Sequence, residues 1–342
     1  MAELRSRVKA VSVLCWLATV SLAWADVDDA ALLNQALVQF GYSDHQLQID
    51  GDDIHYYLHQ QQHLPQHLVL FIQGTDPFPL FFYQFKEDGP HFFKAFNNDD
   101  QRLSPEMAYA VVAKPALSGI REWQHFDVPQ AYHDANYRER RVRDLSAVID
   151  DIRQHHLAEG GNIIVYGHSE GAQLAAALAR EQPAITHLGF WSGNVLNNFY
   201  EFALFERLAV RQGQQSDAQA QQNIEALLQW YQAVLADPQS TEVDDWGFSN
   251  RRWASYRHAP LEDLLALEIP IYAQFASNDD STPIETAYLL PVQFLSAGKT
   301  NLDFHVCLGC NHSYVEEGDE GAIDHWPSVF DDFLQWTQSQ SE

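Results

Sequence analysis

Basic residues are scarce in this sequence of 342 residues. Lysine and arginine together number 20, against 47 aspartates and glutamates, so the formal net charge is −27. This balance argues against nucleic acid, anionic lipid surfaces and polyanionic substrates as partners, because each of them attracts basic surfaces. We interpret the acidity as a source of solubility alone.

Long apolar runs are also missing, apart from one at the amino terminus. A basic segment is followed there by a mostly apolar run over residues 10–22 and by a small-x-small cleavage pattern, Ala-Trp-Ala, at 23–25. We expect residues 1–25 to be a cleaved signal peptide, since the run is short for a membrane span. An uncleaved anchor is the alternative. The mature protein is then exported, to the periplasm in a bacterium or to the medium, with no membrane contact after cleavage.

Cysteine is nearly absent, and signal cleavage leaves only Cys307 and Cys310. In an oxidising compartment we expect this Cys-Leu-Gly-Cys segment to close as a disulfide. A redox C-x-x-C would need a helix at its first cysteine, whereas this segment has the composition of a loop. Half of a zinc site is the other alternative, but the sequence has no H-E-x-x-H and no second C-x-x-C. Nothing in the sequence requires a cofactor or a metal.

The rest of the chain is organised around one stretch at residues 163–180. It begins as an apolar, β-branched run, turns at Gly167-His168-Ser169-Glu170-Gly171, and continues as an alanine- and leucine-rich segment. Such a run is typical of a buried parallel strand, and such a segment of a helix. Strand, G-x-S-x-G and helix together form the pattern of a nucleophile elbow, which exposes the serine at the head of a helix. An ordinary turn that happens to contain a serine is the alternative.

Strand-like and helix-like segments alternate through most of the chain. Helices are predicted at 29–40, 138–155, 261–267 and 327–338, and strands at 46–50, 53–59, 68–73, 107–114, 163–166, 185–191, 269–275 and 301–307. The alternation predicts a mostly parallel sheet with helices on both faces.

Two regions depart from this alternation. Residues 194–256 have helical periodicity without a strand, and we interpret them as a helical cap over the carboxyl edge of the sheet. A solvated helical appendage is the alternative. Residues 78–96 are rich in aromatic side chains, which we expect in the core or in helix packing, with some lining an apolar pocket. A long irregular excursion is expected at 115–136, where loops are usually functional or mobile.

A glycine turn follows the predicted strand at 68–73 directly. Enzymes that transfer acyl groups through an elbow place their second oxyanion donor at this point. We therefore predict that the backbone N–H of Thr75 and that of Glu170 form an oxyanion hole. A plain strand-to-helix loop is the alternative.

A serine hydroxyl needs a base to accept its proton and an acid to orient that base. Such groups are expected on loops after the carboxyl ends of strands. Asp279 follows the strand at 269–275, and His312 follows the strand at 301–307. We predict Ser169 as nucleophile, His312 as general base and then acid, and Asp279 as the residue that orients it. Asp280 is the alternative acid, whereas the histidines at 305 and 325 are worse placed to be the base.

These motifs resemble the α/β-hydrolase family. The acid loop of that family commonly reads G-x-x-D-x-x-x-P, which Asp279 and Pro283 match, although Ala276 replaces the glycine. Its histidine loop commonly reads G-x-x-H, which Gly309 and His312 match. The resemblance covers nearly all of the mature chain. It implies an eight-stranded, mostly parallel sheet interrupted by a helical cap, with core segments at 26–193 and 257–342, and hydrolysis through an acyl-enzyme.

The sequence thus predicts an exported serine hydrolase of carboxylic esters. A peptidase or amidase is the second expectation. For an aminopeptidase, Glu170, Glu201 and Glu206 are the candidate acids to hold a substrate ammonium. A non-catalytic binding protein on the same scaffold is the third. We also hypothesise that a disulfide between Cys307 and Cys310 stiffens the loop that carries His312. The expected partner is a small ester or peptide, and the oligomeric state is not predicted.

Overall fold

The computed structural model of the protein describes residues 28–318 and 321–340. The predicted signal peptide lies outside these residues. None of the helices among these residues combines the length and the apolar character of a membrane span.

The strands of the described residues are numbered in chain order. They are β1 (Tyr42–Ile49), β2 (Asp52–His59), β3 (His67–Ile72), β4 (Phe81–Lys86), β5 (Gly89–Lys94), β6 (Met107–Val112), β7 (Ile120–Glu122), β8 (Ile163–His168), β9 (His187–Trp191), β10 (Ile271–Ala276), β11 (Leu302–Cys307), β12 (Val315–Gly318) and β13 (Gly321–Asp324).

The helices are numbered in the same way. They are α1 (Asp29–Phe40), α2 (Gln130–Ala135), α3 (Arg138–His155), α4 (Glu170–Glu181), α5 (Asn198–Arg211), α6 (Asp217–Ala236), α7 (Asn250–Ser255), α8 (Pro260–Ala266), α9 (Ile284–Ala287), α10 (Leu289–Ser296) and α11 (Trp326–Ser339). Short 3₁₀ turns lie at Asp99–Arg102 and Trp123–His125.

The main sheet has eight strands in the order β1-β2-β6-β3-β8-β9-β10-β11. Only β2 runs against the others, because it pairs antiparallel with both β1 and β6 while the remaining neighbours pair parallel. The carboxyl ends of β3, β8, β10 and β11 therefore lie at one edge of the sheet. This is the edge at which the predicted catalytic loops begin.

Two apolar cores cover the two faces of the sheet. In β3, Leu68 and Leu70 face the core that includes α3 and α4, whereas Val69 and Phe71 face the core that includes α1 and α11. The alternation follows from the two-residue period of a strand, and burial on both faces explains why β3 is apolar throughout. The predicted fold class, a mostly parallel α/β sheet of eight strands with helices on both faces, is confirmed.

The predicted elements match the structure with shifts of a few residues at their ends. The helices at 29–40 and 138–155 begin and end where the periodicity placed them. Differences lie outside the main sheet. No element was predicted for the aromatic run at 78–96, which forms the antiparallel strands β4 and β5, and β7 pairs with β4 from the excursion at 115–136. The β12–β13 hairpin and the helices α2, α9 and α10 were not predicted.

Residues 194–256, called here the helical segment, contain α5, α6 and α7 and none of the strands numbered above. A small apolar cluster of its own holds it together, centred on Phe199 and Trp253. The helical content agrees with the sequence pattern. Its role as a cap, and the boundaries at 193/194 and 256/257, stay predictions.

Candidate active site

Ser169 occupies the turn between β8 and α4. Its backbone angles are φ 60° and ψ −126°, a region that residues other than glycine rarely adopt. The N–H of Ser169 donates to the carbonyl of Trp191 at 2.9 Å, which fixes the turn against β9. A strained backbone that the surrounding structure holds in place is common at functional sites.

The two glycines of the motif make this turn possible. A Cβ on Gly167 would lie 2.0 Å from the carbonyl oxygen of Gly171, and a Cβ on Gly171 would lie 2.0 Å from the carbonyl oxygen of Ile72. Neither backbone oxygen can move away without displacing a strand or a helix. Only glycine therefore allows the strand, the turn and the helix to approach so closely.

Asp279 and His312 meet beyond the ends of β10 and β11. Nδ1 of His312 lies 2.9 Å from Oδ1 and 2.8 Å from Oδ2 of Asp279, whose side chain is 1% exposed. Thr282 donates to the same carboxylate through its N–H and its hydroxyl, at 2.8 and 2.7 Å. Burial alone would raise the pKa of Asp279, but the hydrogen bond and charge of His312 and the donors of Thr282 lower it below its usual value. The carboxylate thus stays ionised.

His168 brings this pair to the elbow. The residue precedes Ser169, and its Nε2 donates to the carbonyl oxygen of His312 at 2.8 Å. The two imidazole rings lie 4.6 Å apart between centroids. Burial, together with the nearby charge of His312, lowers the pKa of His168 to about 3, so this ring is neutral and holds its neighbour without competing for a proton.

The alternative acid and bases are placed elsewhere. Asp280 is exposed and accepts a hydrogen bond from Ser281. His305 of β11 stacks on Tyr272 of β10, and His325 pairs with Glu316 at 3.0 Å.

The loop after β3 lies against the nucleophile. A Cβ on Gly74 would lie 3.2 Å from the Cβ of Ser169 and 3.7 Å from its hydroxyl oxygen. Thr75 is the next residue, and the role of its N–H as an oxyanion donor stays a prediction. The other predicted donor, the N–H of Glu170, belongs to the first residue of α4, where the helix dipole adds positive potential.

A buried lysine supports this loop, and the sequence analysis missed it. Lys114 lies just after β6 with 2% of its surface exposed, and its ammonium donates to the carbonyls of Gly74, at 2.5 Å, and of Asp76. Its only sequence signal is a lysine directly after an apolar strand.

The side chain of Glu170 forms a buried ion pair with Arg252 from α7. Burial would raise the pKa of Glu170, but the positive charges of Arg252, Lys114 and Arg141 lower it. The other carboxylate oxygen of Glu170 and Nη1 of Arg252 are buried and have no partner among the described residues. The pair joins the elbow to the helical segment across 82 residues of sequence, which no local motif reveals.

A second buried acid, Glu201 at the start of α5, ties the helical segment to the core. It accepts hydrogen bonds from the side chains of Asn194 and Thr286 and from the N–H groups of residues 195 and 196. Burial raises its pKa to about 7 against the effect of these donors. Asn194 in turn accepts from Gln173 of the elbow helix at 2.9 Å.

Cys307 and Cys310 lie at bonding distance and form a disulfide at the junction of the loops that carry Asp279 and His312. The N–H of Ser277 donates to the carbonyl of Cys307, and that of Asn278 to the carbonyl of Cys310, at 3.0 and 2.9 Å. His325 brings a third possible metal ligand within 4.8 Å of both sulfurs. Sulfurs joined in a disulfide do not offer the thiolates that zinc requires.

Comparisons with known proteins bear on the fold. No protein-family model and no curated protein sequence matches the chain. Among solved structures, Est1E from Butyrivibrio proteoclasticus matches with a TM-score of 0.50 and 13% identity, over 87% of this chain and 98% of that one. The acylaminoacyl peptidase of Pyrococcus horikoshii matches with a TM-score of 0.54 and 10% identity, over 87% of this chain and 41% of that one.

The chain has the α/β-hydrolase fold. In this fold the nucleophile, the acid and the histidine follow one another along the sequence in that order. Ser169, Asp279 and His312 have the same order here, on the loops after β8, β10 and β11. At these identities the likeness establishes the architecture alone.

Proposed function

We propose that the protein is a serine hydrolase that cleaves carboxylic esters through an acyl-enzyme. The observation that carries the proposal is the joint placement of a strained elbow serine and an aspartate–histidine pair. The Asp279 carboxylate holds Nδ1 of His312, which leaves Nε2 as the acceptor for the Ser169 proton. The contact between His168 and His312 keeps the base beside the elbow.

The proposed reaction has two halves. Ser169 attacks the ester carbonyl while His312 accepts its proton, and the N–H groups of Glu170 and Thr75 stabilise the oxyanion. His312 then protonates the departing alcohol, which leaves an ester between the acyl group and Ser169. Water, activated by the same histidine, hydrolyses that ester and restores the serine. Each step uses groups of this chain, without a metal or a cofactor.

The surroundings of the elbow disfavour an aminopeptidase. A free amino terminus needs an unengaged carboxylate, but Glu170 is paired with Arg252 and lies near two further cations, Lys114 and Arg141. Glu201 accepts four hydrogen bonds, and the Glu206 carboxylate accepts from Gln215 and Asn223. A substrate ammonium would meet repulsion beside Ser169.

An amidase or peptidase for substrates without a free amino group is the second candidate. The surplus of buried cations repels a charged ammonium. It does not repel an acylated amino terminus, because acylation removes the positive charge. The acylaminoacyl peptidase structures have the same fold. Hydrolysis rates measured on matched ester and amide substrates distinguish the two functions.

We also propose export to the periplasm or the medium, which rests on the leader at residues 1–25 and not on the described residues. Amino-terminal sequencing of the protein recovered from a cell fractionation tests it. Recovery of a chain that begins at Asp26 outside the cytoplasm supports export, and a full-length cytoplasmic chain contradicts it.

A panel of chromogenic substrates tests the activity. It comprises p-nitrophenyl esters of increasing acyl length, N-acylated amino acid p-nitroanilides and their free-amino counterparts. Ser169→Ala is the negative variant, and Ser313→Ala, which removes an exposed serine nearby, is its matched control. Turnover of esters that only Ser169→Ala abolishes supports the proposal. Turnover of free-amino anilides in preference to esters contradicts the ester assignment, and no turnover of any substrate by folded wild type favours a binding protein.

A further inference from the structure

Lys114 is buried where a lysine is costly. Its surface is 2% exposed, and removing an ammonium from water is unfavourable unless it is well bonded. Both acceptors that bond it are peptide carbonyls, those of Gly74 and Asp76, rather than carboxylates. The two carbonyls flank Thr75, the residue whose N–H is the proposed oxyanion donor. A lysine that only filled space in the core would not need to bind two carbonyls of this loop.

The geometry of a peptide connects the lysine to that donor. The carbonyl of Gly74 and the N–H of Thr75 belong to one planar unit, and the described chain has no cis peptide bond. In a trans peptide the C=O and the N–H point in opposite directions. A lysine that holds the Gly74 carbonyl on one side therefore directs the Thr75 N–H to the other side. The α-carbon of Gly74 itself lies against Ser169.

The charge of the lysine adds an electronic effect. A hydrogen bond from a cation to a carbonyl oxygen polarises the whole peptide, and linked hydrogen bonds strengthen one another. The Thr75 N–H becomes a stronger donor when Lys114 is charged. Stabilisation of an oxyanion depends on such oriented donors, and loss of one typically costs 10²–10³ in kcat.

We propose that Lys114 is a positioning residue for the oxyanion hole, which holds the Gly74–Thr75 peptide so that the Thr75 N–H faces the oxyanion formed on attack by Ser169. The inference rests on the proposed serine hydrolase function and assigns a role to a residue that does not touch the substrate. It explains why a buried cation lies behind the loop and not in an ion pair of its own.

The electrostatic surroundings make the charge of Lys114 sensitive to pH. Burial lowers its pKa to about 7, assisted by Arg141 of α3 and Arg252 of α7, while Glu170 of α4 and Asp76 of the loop oppose this shift. The ammonium is present below this pH and lost above it. Activity should therefore fall as the pH rises through this value and Lys114 loses its proton.

The test compares Lys114→Met with Lys94→Met. The side chain of Lys94 is also buried, at 3% exposed, but it pairs with the carboxylate of Asp100 and not with the carbonyls beside Thr75. Both variants are assayed with a p-nitrophenyl ester, and rates are divided by the concentration of sites that a fluorophosphonate titrates. We expect Lys114→Met to lower kcat by about 10- to 100-fold with KM within about twofold. A boronic acid, which mimics the tetrahedral intermediate, should lose affinity by a similar factor. Lys94→Met should keep its kcat per titrated site.

Two further variants sharpen the result. Thr75→Pro removes the N–H itself, so Lys114→Met should cost little more in that background if both act through one donor. Lys114→Arg keeps a permanent charge and should lose the alkaline fall of the wild-type profile. This variant carries the test if Lys114→Met does not fold.

Three results would overturn the inference. These are an unchanged kcat in Lys114→Met, an equal loss in the Thr75→Pro background, or an unchanged alkaline limb in Lys114→Arg. Failure of the proposed function looks different, because wild type itself would then neither hydrolyse esters nor react with the fluorophosphonate.

Discussion

The two sides of Ser169 are built in different ways. On one side, Asp279 and His312 stand on loops that follow adjacent parallel strands, and short motifs with fixed spacing place them. On the other side, Lys114, Glu170 and Arg252 come from a strand end, the elbow and the helical segment, and only the fold brings them together. In the proposed mechanism the first side supplies the reacting groups, and the second is a buried, charged support for them. Short motifs can therefore identify the candidate reacting residues, whereas the buried charged residues that position them cannot be recognised from the sequence.

The largest expected effect concerns the first side. Asp279→Asn should lower kcat by about 10³–10⁴-fold, because an amide at this position favours the wrong tautomer of His312. Asp280→Asn is the matched control, since Asp280 is exposed and accepts its hydrogen bond from Ser281, whereas the histidine bonds Asp279. Steady-state kinetics on a p-nitrophenyl ester measures both. Equal losses in the two variants would contradict the assignment of Asp279.

A substitution on the second side of Ser169 should mainly lower the free energy of unfolding. Arg252→Met leaves the Glu170 carboxylate buried without its partner, which should cost about 3–5 kcal/mol of the free energy of unfolding. Arg257→Met, at an exposed arginine a few residues away, serves as the control and should cost less than about 0.5 kcal/mol. Urea unfolding measures the difference. A cost below about 1 kcal/mol for Arg252→Met would mean that the pair does not hold the helical segment to the elbow.

Glu201, another buried charge that joins the helical segment to the core, should make the free energy of unfolding depend on pH. Its folded-state pKa of about 7 lies above the usual value of a glutamate, so the folded protein holds a proton that the unfolded chain releases. Its contribution to stability therefore falls as pH rises from about 4.5 to about 7. Glu201→Gln should remove that part of the slope, and should cost about 1–3 kcal/mol, because an amide cannot accept from all four donors. Unfolding free energies measured at several pH values test both statements. An unchanged slope would show that Glu201 does not titrate in this range.

The smallest effect is expected at the junction of the catalytic loops. Reduction of the bond between Cys307 and Cys310 opens a loop of four residues, which should cost about 2 kcal/mol of stability in the chain-entropy account. Turnover should also fall, because the loop that carries His312 loosens. The Cys307→Ser, Cys310→Ser double variant should have the turnover and melting temperature of the reduced protein, and reductant should change neither. If reductant changes neither turnover nor the melting temperature of wild type, the stiffening hypothesis is wrong.

Most of the fold could be predicted because its signals are local. Strands buried on both faces give continuous apolar runs such as residues 68–72, and α3 follows a helical period over its full length. The predicted triad residues lie where that architecture places loops, so spacing after the right strands was informative. The hairpin β12–β13 is largely exposed and polar, and lacks the apolar alternation that identifies a strand.

The buried charges could not be predicted, for a different reason. Arg251 and Arg252 are neighbouring arginines on a short helix. Nothing in the local sequence indicates that Arg252 is buried while Arg251 is partly exposed. Its partner lies 82 residues away. Lys114 likewise appears only as the polar end of a strand. The energy of both residues depends on burial and on long-range contacts, which a motif does not encode.

The most direct test of the account is the reactivity of Ser169 itself. The protein is incubated with a fluorophosphonate probe beside Ser169→Ala and His312→Ala, and the labelled peptide is identified by mass spectrometry. The account predicts labelling of wild type at Ser169, none at that site in Ser169→Ala, and much slower labelling in His312→Ala, because the serine has lost its base. Absence of labelling in folded wild type, or labelling that is equally fast without His312, would contradict an activated nucleophile at the elbow.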